Sequence, residues 1–267
     1  MDVKIGCCGF PKARNLYYKS FKLVEIQQTF YQPPQLKTIG RWRMEAGHDF
    51  EFTLKAWQLI THESKSPTYR RLTLSWPEKK LDLCGFFKPT NEVQWAWMQT
   101  REVAMALKAR IIVFQTPPSF QPSAANKENL RRFFKEVNRG GFFFVWEPRG
   151  LWRGGEVQEL CRELDLTHGV DPFKTDPSFG KIRYFRIHGI TGYRYRFSQK
   201  DLEALKEKCR EGCYCLFNNL SMWTDALAFQ GMIGERKLPK TSHGEQSPQN
   251  KREKTIPRGT MKRRSAG

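Results

Sequence analysis

The chain has 267 residues, and its 46 Lys and Arg outnumber its 27 Asp and Glu, for a net charge of +19. This length suits one large α/β domain or two smaller ones, and the charge indicates an anionic partner. The seven cysteines are an odd number without a signal peptide, which argues against a secreted disulfide framework. No apolar run reaches the roughly 20 residues of a membrane span, so we expect a cytoplasmic protein with no membrane partner.

Eight short apolar runs follow one another along the chain, and most of them end in polar residues. Segments with helical spacing separate most of these runs, an alternation typical of parallel βα units. The predicted strands are Val3–Cys8, Leu23–Thr29, Phe50–Lys55, Ile111–Gln115, Phe142–Arg149, Thr167–Asp171, Arg183–His188 and Tyr214–Asn219. The pattern predicts an α/β fold of the (β/α)₈ TIM-barrel type with a closed parallel sheet.

The connections between these strands are mostly helical. The predicted helices are Gln35–Ala46, Asn91–Leu107, Lys127–Val137, Glu156–Leu164, Gln199–Cys209 and Met222–Ile233. Asn126 is the predicted N-cap of the third helix, and Ser198 with Asp201 predicts the start of the fifth. Residues 60–88 form a long insertion after the third strand. Residues 172–182 are too few for a full helix, so the connection between strands six and seven is shortened.

The last 32 residues differ from the rest in composition. Residues 236–267 contain ten Lys or Arg against two Glu, a net of +8, and almost no large apolar side chains. Such a segment cannot bury enough surface to offset its chain entropy, so we predict a barrel domain over 1–235 and a disordered tail. The tail either strengthens non-specific binding to phosphate backbones or is merely solvated.

Alternation along the strands predicts which side chains face the barrel interior. The aliphatic and aromatic sets should face the helices, and the polar sets should face the lumen with their last members at the mouth. The inward polar sets are Glu25, Gln27 and Thr29; Glu51, Thr53 and Lys55; and Tyr184, Arg186 and His188. The same counting places Gln115, Glu147, Arg149 and Asp171 at the mouth, together with either Asn218 or Asn219.

Eight ordered motifs carry a resemblance to a known family: GCCGFP, KLVEIQQTFYQPP, FTLKAWQLITH, FQTPPSF, WEPRGLW, GVDPF, YFRIHG and CLFNN. Together they resemble the YecE-like family, domain of unknown function seventy-two, over residues 1 to about 230. The resemblance implies a (β/α)₈-type barrel but no particular activity. The chain departs from the commoner pattern at Cys7-Cys8, which replace small hydroxyl residues, and at Pro148, where many members have an aromatic residue.

The predicted mouth combines acid–base groups with cations. Glu147, Asp171 and His188 are the candidate catalytic residues, because two carboxylates and an imidazole can exchange protons or hold a divalent metal. The candidate ligand-binding residues are Tyr31, Lys55, His62, Gln115, Arg149, Arg186, Asn218 and Asn219, in which the arginine forks suit phosphate or carboxylate. This set would suit hydrolysis or isomerisation. The alternative is a structural layer of salt bridges inside the barrel.

Two functions remain open from the sequence. The first is an enzyme acting on a phosphate-containing or nucleic-acid-derived substrate at the C-terminal mouth of the barrel. The second is a non-catalytic nucleic-acid-binding protein that uses its basic face and tail. No glycine-rich dinucleotide motif, P-loop, HExxH motif or nucleophile elbow occurs, which argues against nicotinamide, ATP and serine-hydrolase chemistry. Cys209, Cys213 and Cys215 match no standard metal spacing, so packing is the favoured role.

Overall fold

The computed structural model describes residues 2–234, which form an eight-stranded parallel sheet surrounded by helices. The strands are β1 Val3–Cys8, β2 Leu23–Ile26, β3 Glu51–Lys55, β4 Ile111–Gln115, β5 Phe143–Glu147, β6 Thr167–His168, β7 Tyr184–Ile187 and β8 Cys213–Phe217. Their spatial order is β6-β5-β4-β3-β2-β1-β8-β7, so the first and last strands of the chain are neighbours. The predicted barrel class is confirmed.

The sheet is nearly closed at the seam between β6 and β7. One isolated bridge joins Val170 to Phe185 there. Val170 N donates to Tyr184 O at 3.2 Å, and Arg186 N donates to Val170 O at 2.8 Å. No helix lies between Asp171 and Arg183 in the described chain, as the short connection predicts. The seam therefore joins the strand that carries Arg186 to the segment that leads into Asp171.

Ten helices occur in the described residues. They are α1 Arg14–Ser20, α2 Gln28–Tyr31, α3 Leu36–Glu45, α4 Gln58–Thr61, α5 Glu78–Leu81, α6 Asn91–Leu107, α7 Ala124–Glu136, α8 Gly154–Glu163, α9 Gln199–Lys208 and α10 Met222–Gly234. A 3₁₀ helix, Pro67–Arg71, interrupts the insertion after β3. None of the helices within residues 2–234 is long and apolar enough to cross a membrane.

Of the two helix starts predicted from capping residues, the structure confirms one and corrects the other. Ser198 and Asp201 form the expected capping box at α9. The prediction of Asn126 as a cap is wrong, because α7 begins three residues earlier than predicted and Ser123 caps it. The Ser123 hydroxyl accepts from Asn126 N at 3.2 Å, while the Asn126 amide donates to Gln121 O at 2.8 Å. A hydroxyl on extended backbone meets the first free N–H groups of the helix, whereas Asn126 is already inside its first turn.

Several strands end earlier than predicted. β2 stops at Ile26, because the helical turn α2 begins at Gln28 and includes Thr29. β5 stops at Glu147, and β6 is only the dipeptide Thr167–His168. Strand alternation therefore does not govern the side chains that follow these ends. The affected residues of the predicted mouth are Thr29, Arg149, Asp171, His188, Asn218 and Asn219.

Two apolar clusters divide the barrel as the alternation predicts. The larger cluster lies between the sheet and the helices and is rich in aromatic side chains, Phe52, Phe114 and Trp146 among them. The smaller one fills the lumen and consists of Cys8, Leu23, Ile111, Val113, Val145, Tyr184, Tyr214 and Leu216. The lumen is therefore a packed core below the mouth and not a pore, as in other barrels of this class.

The insertion after β3 is tied to the rim of the barrel close to His62. Tyr69 Oη donates to His62 O at 2.8 Å. Gly85 approaches the same carbonyl so closely that a Cβ atom there would lie 2.3 Å from His62 O, and its φ of +83° favours glycine. Gly85 N also donates to Leu59 O at 2.7 Å. These contacts hold His62 at the edge of the mouth.

The domain boundary predicted at residue 235 and the basic segment 236–267 lie outside the described residues. The account of the site below concerns residues 2–234 alone.

Candidate functional site at the barrel mouth

A cavity of about 980 Å³ opens at the carboxyl ends of the strands. Six residues of the predicted mouth line it: Tyr31, Lys55, His62, Gln115, Arg186 and Asn218. Further lining comes from the segment after β2, from the insertion and from the loop after β7, through Gln27, Gln28, Phe30, Gln32, Pro33, Pro34, Gln35, Thr68, Arg71, Thr73 and Tyr193. Its volume falls at the upper end of the roughly 300–1,000 Å³ typical of small-molecule sites.

Arg186 lies at the bottom of this cavity with all of its donors occupied. Nε donates to both carboxylate oxygens of Glu25, at 3.0 and 3.1 Å, and Nη2 donates to Glu25 Oε1 at 2.8 Å. Nη2 also contacts Cys8 Sγ at 3.8 Å. Nη1 donates to Glu147 Oε2 and to Gln115 Oε1, the latter at 3.1 Å. We call Glu25, Glu147 and Arg186 the Arg186 layer.

The Arg186 layer stays ionised although it is fully buried. Burial alone would raise the pKa of Glu147, but the guanidinium groups of Arg186 and Arg149 outweigh it and lower the pKa to about 2. The same opposition lowers the pKa of Glu25, where Arg186 outweighs burial. Burial would lower the pKa of Arg186, and its two carboxylate partners raise it instead. This layer matches the structural alternative named for the sequence, a set of charges that satisfy one another.

Lys55 has a different environment at the end of β3. Its Nζ donates to Gln115 Oε1 at 3.1 Å and stands 3.7 Å from the centroid of the Phe30 ring. No carboxylate oxygen of the described residues lies within the 4.0 Å of an ion pair with this Nζ. Burial, followed by the positive charge of Arg186, lowers the pKa of Lys55 to about 7, although Glu25 and Glu147 oppose the shift. The floor of the cavity therefore holds a buried amine without an ion-pair partner.

The three predicted catalytic residues lie next to one another beside Arg149 and do not line the cavity. Arg149 Nη2 donates to Glu147 Oε1 and to His188 Nε2, both at 2.8 Å. His188 Nδ1 lies 3.5 Å from Asp171 Oδ2, and Asp171 also accepts from His188 N at 3.2 Å. Arg149 thus links Glu147 to the His188–Asp171 pair, and none of these four side chains lines the cavity.

The ligand geometry of a divalent metal is not assembled from these groups. Both oxygens of Glu147 accept from guanidinium groups of Arg149 and Arg186. Within residues 2–234, the side chains that gather like metal ligands are instead three buried cysteines, Cys209, Cys213 and Cys215, whose sulfurs lie within 4.8 Å of one another. This thiol cluster lies between β8 and the end of α9, away from the residues that line the cavity.

The rim combines an imidazole with a stacked arginine. His62 Nδ1 lies 2.8 Å from Thr61 Oγ1, and its ring packs edge-on against Phe30. Burial, with the charges of Lys55 and Arg149, lowers the pKa of His62 to about 3, so the ring is neutral at physiological pH. The Arg71 guanidinium stacks over the Tyr31 ring at 3.5 Å. Sequence reasoning missed Arg71, because nothing in the insertion indicates which of its side chains turns toward the barrel.

The structure separates the two asparagines that the sequence left as alternatives. Asn218 lines the cavity. The side chain of Asn219 donates to Tyr195 O at 2.7 Å and to Asp225 Oδ2 at 2.6 Å. Asn219 therefore fastens the loop after β7 to α10, and Asn218 is the one that faces the cavity.

Sequence comparison assigns the chain to a family. The family described as "Protein of unknown function DUF72" matches residues 11–251. The chain belongs to this family. The resemblance drawn from the eight motifs is thereby confirmed. UPF0759 protein YunF of Bacillus subtilis strain 168 is 22% identical to this DUF72 chain over 246 residues, which cover 79% of the chain and 81% of YunF.

Solved structures support the barrel. A DUF72 family protein from Thermotoga maritima superposes with a TM-score of 0.63 at 19% identity, covering 88% of this chain and 100% of that one. D-psicose 3-epimerase from Clostridium cellulolyticum H10 has a TM-score of 0.53 at 11% identity, with 87% of this chain and 98% of that one covered. At these identities the likeness concerns the fold alone.

Proposed function

We propose that this DUF72 chain is an enzyme that acts on an anionic small molecule, phosphate-containing or nucleic-acid-derived, bound at the mouth of the barrel. The observation that supports this is the charge of the cavity wall. Lys55, Arg71 and Arg186 line it, and no carboxylate is among the described residues that do so. A concave site with only positive charge on its walls concentrates anions and orients them.

The three cations would contribute in different ways. Arg186 has no free donor and its charge is offset by Glu25 and Glu147, so it shapes the floor of the cavity without touching the ligand. Arg71 stacks on Tyr31 and is the cation best placed for an arginine–phosphate contact. The Lys55 ammonium, at the floor, would meet the part of the molecule that reaches deepest. Phe30, Tyr31 and Tyr193 provide faces on which a sugar or base can stack.

The reaction class that suits this wall is isomerisation or hydrolysis with proton transfer. An amine with a pKa of about 7 can give or accept a proton near neutral pH, so we assign that role to Lys55. Glu147, Asp171 and His188, the catalytic candidates of the sequence, act here as positioning residues for Arg149 and Arg186. This assignment follows from their contacts with the two guanidinium groups and with one another.

The proposal is tested by titration calorimetry with ribose 5-phosphate and with ribose as the uncharged control. We expect the phosphate ester to bind at least about tenfold more tightly, since its anionic group meets Arg71 and Lys55. Arg71→Met should weaken the binding of ribose 5-phosphate. Lys200→Met removes an exposed cation on α9 and should leave this binding unchanged. Equal affinity for the two compounds, or equal losses in the two variants, would refute an anion site at the mouth.

The basic segment 236–267 supports a second candidate, a non-catalytic nucleic-acid-binding protein. Deletion of this segment separates the two functions. Loss of oligonucleotide binding with ribose 5-phosphate binding intact would assign the nucleic-acid contact to the segment and the anion site to the barrel. Oligonucleotide binding that survives the deletion and disappears in Arg71→Met would place the nucleic acid at the mouth.

A further inference from the structure

We propose that Lys55 is a covalent nucleophile, which forms an imine with a carbonyl compound that also carries an anionic group. The inference rests on the proposed function, because the anionic group is what brings the substrate to the mouth. It deepens that function by naming the substrate class, an aldehyde or ketone with a phosphate or carboxylate. Three features of Lys55 carry it: its position, the lack of an ion-pair partner, and the way its amine is oriented.

The first feature is position. Lys55 is the last residue of β3, and its Nζ reaches the floor of the cavity while the residue as a whole is only 6% exposed. Thr29 Oγ1 donates to Lys55 O at 2.7 Å and fixes the backbone there. A strand end held in this way places the amine more rigidly than a loop would. A substrate that enters the mouth therefore meets an amine at a fixed point.

The second feature is the balance of charge around the amine. A buried ammonium needs a carboxylate partner to offset its lost hydration. Glu25 is bound to Arg186, and Glu147 is shared by Arg186 and Arg149, so neither carboxylate contacts Lys55. The two arginines and the two acids balance each other, so a protonated Lys55 makes three cations against two acids, and this surplus favours release of the Lys55 proton. Only the neutral amine has a lone pair that can attack a carbonyl.

The third feature is orientation. Gln115 Oε1 accepts one N–H of Lys55, and the same oxygen accepts from Arg186 Nη1, so its position is set by the Arg186 layer. The Phe30 ring covers another side of the amine. One donor direction and one face are thus occupied by the protein, and Lys55 also lines the cavity. This is the arrangement that lets an incoming carbonyl carbon approach the nitrogen.

The reaction balances without a further reagent. The nitrogen lone pair of neutral Lys55 forms a bond to the carbonyl carbon, and the carbonyl π electrons move to its oxygen. That oxygen takes up the proton that the nitrogen releases, which gives a carbinolamine. Loss of hydroxyl from carbon and of the second proton from nitrogen releases one water and leaves the C=N bond. The imine then withdraws electrons from the neighbouring carbon, as an isomerisation requires.

The experiment uses pyridoxal 5′-phosphate, which carries an aldehyde and a phosphate, on the full chain. The imine is reduced with sodium borohydride, and the labelled lysines are identified by peptide mass spectrometry. At pH 7 about half of an amine with a pKa near 7 is neutral, against roughly one in 2,500 for an ordinary lysine. We expect Lys55 to be labelled at least about tenfold faster than exposed Lys19 or Lys200, after allowing for its weaker intrinsic basicity.

Two further arms characterise the labelling. Its rate at Lys55 should level off above about pH 8, whereas the rates at Lys19 and Lys200 should keep rising toward pH 10. Ribose 5-phosphate should compete with labelling at Lys55 and not at the surface lysines. Lys55→Arg keeps the positive charge but has no amine, so it should bind ribose 5-phosphate and form no imine at this position.

The outcomes distinguish the inference from the proposed function on which it rests. Equal labelling rates at all lysines, together with tight binding of ribose 5-phosphate, would overturn the covalent role of Lys55 but would support the anion site. Failure of ribose 5-phosphate to bind would refute the anion site. Selective labelling at Lys55 that pyridoxal without phosphate matches equally would overturn the assigned substrate class. The wild-type measurements keep the test valid even where the variant does not fold.

Discussion

The two ends of the barrel lumen each hold a lysine, and the two have opposite surroundings. Near the amino end, the Lys4 ammonium pairs with Glu51 and donates to Tyr214 Oη at 3.0 Å. At the carboxyl end, Lys55 has an amide oxygen and an aromatic face but no carboxylate among its described contacts. The lysine at the base of the lumen is therefore held in an ion pair, whereas the lysine at the mouth is not.

The pKa shifts of the two amines have opposite signs. Burial would lower the pKa of Lys4, but the Glu51 carboxylate and the Tyr214 hydroxyl outweigh it and raise the pKa. At Lys55, burial and Arg186 together outweigh the two carboxylates and lower the pKa to about 7. The difference shows that nearby acid alone does not decide the outcome. Glu25 and Glu147 lie in the same lumen as Lys55, yet both are bound to arginine.

The largest expected effect comes from breaking the Arg186 layer. Arg186→Met would leave Glu25 and Glu147 buried without their main partner, so the free energy of unfolding should fall by roughly 3–5 kcal/mol. Arg71→Met is the matched control, since it removes an exposed cation and should cost less than about 0.5 kcal/mol. Urea denaturation at pH 7 measures both. A loss below about 1 kcal/mol in Arg186→Met would show that the layer does not hold the barrel together.

The next effect is a pH dependence carried by Lys55. Its pKa is about 7 in the folded state and about 10.4 when unfolded, so between these values the unfolded state binds more protons and stability rises with pH. The free energy of unfolding of wild type, relative to that of Lys55→Met, should therefore increase from pH 7 to pH 10 by an amount on the order of 3 kcal/mol. Denaturation series at matched pH values measure the difference. A flat difference would mean that Lys55 is an ordinary lysine.

The stability of the protein should also depend on pH through Glu147, in this case in the acid range. Its folded pKa of about 2 lies below the roughly 4.3 of an unfolded glutamate, so its contribution is present above pH 4.3 and is lost as the pH falls toward 2. Glu147→Gln should be less stable than wild type at pH 7 by about 3 kcal/mol, the free-energy equivalent of this pKa difference, and the gap should narrow below pH 4. Acid unfolding curves of the two proteins test this. A gap that stays constant down to pH 2 would contradict it.

A smaller effect compares the two lysines directly. Lys4→Met should lower the free energy of unfolding by about 0.5–1 kcal/mol, as expected for a partly exposed ion pair, and should leave ribose 5-phosphate binding unchanged. Lys55→Met should keep or increase stability at pH 6, because it removes an unpaired buried charge, and should weaken binding at least about tenfold. Calorimetry and urea denaturation on both variants check the pair. Equal changes in stability and in binding for Lys4→Met and Lys55→Met would contradict the difference between the base and the mouth of the barrel.

The smallest effect concerns the basic segment. Removal of residues 236–267 should change the melting temperature by no more than a few degrees, since this sequence has almost nothing to bury. The surroundings of Lys4 and Lys55 should not change, so ribose 5-phosphate binding and the labelling of Lys55 should match those of the full chain. A large drop in the melting temperature would show that the segment packs against the barrel.

The sequence determined the barrel and the order of its strands. Alternating βα segments predicted eight parallel strands, and period-two alternation placed Glu25, Thr53, Lys55 and Arg186 inside the lumen. Both inferences are local, because the direction of a strand side chain is fixed by its neighbours in the chain. The same rule had no force beyond the strand ends, where Arg149, Asp171 and His188 belong to loops.

Only the tertiary structure decided which charges pair. Sequence reasoning brought Lys55, Glu147, Asp171, Arg186 and His188 to one mouth, but it could not show that Arg186 takes up both carboxylates and leaves Lys55 alone. It also gave no reason to place Arg71, from the insertion, over Tyr31. These outcomes depend on distances of a few ångströms between residues far apart in the chain, and electrostatic pairing changes steeply over such distances. Local patterns fix where a side chain points, and the folded barrel fixes which groups that side chain contacts.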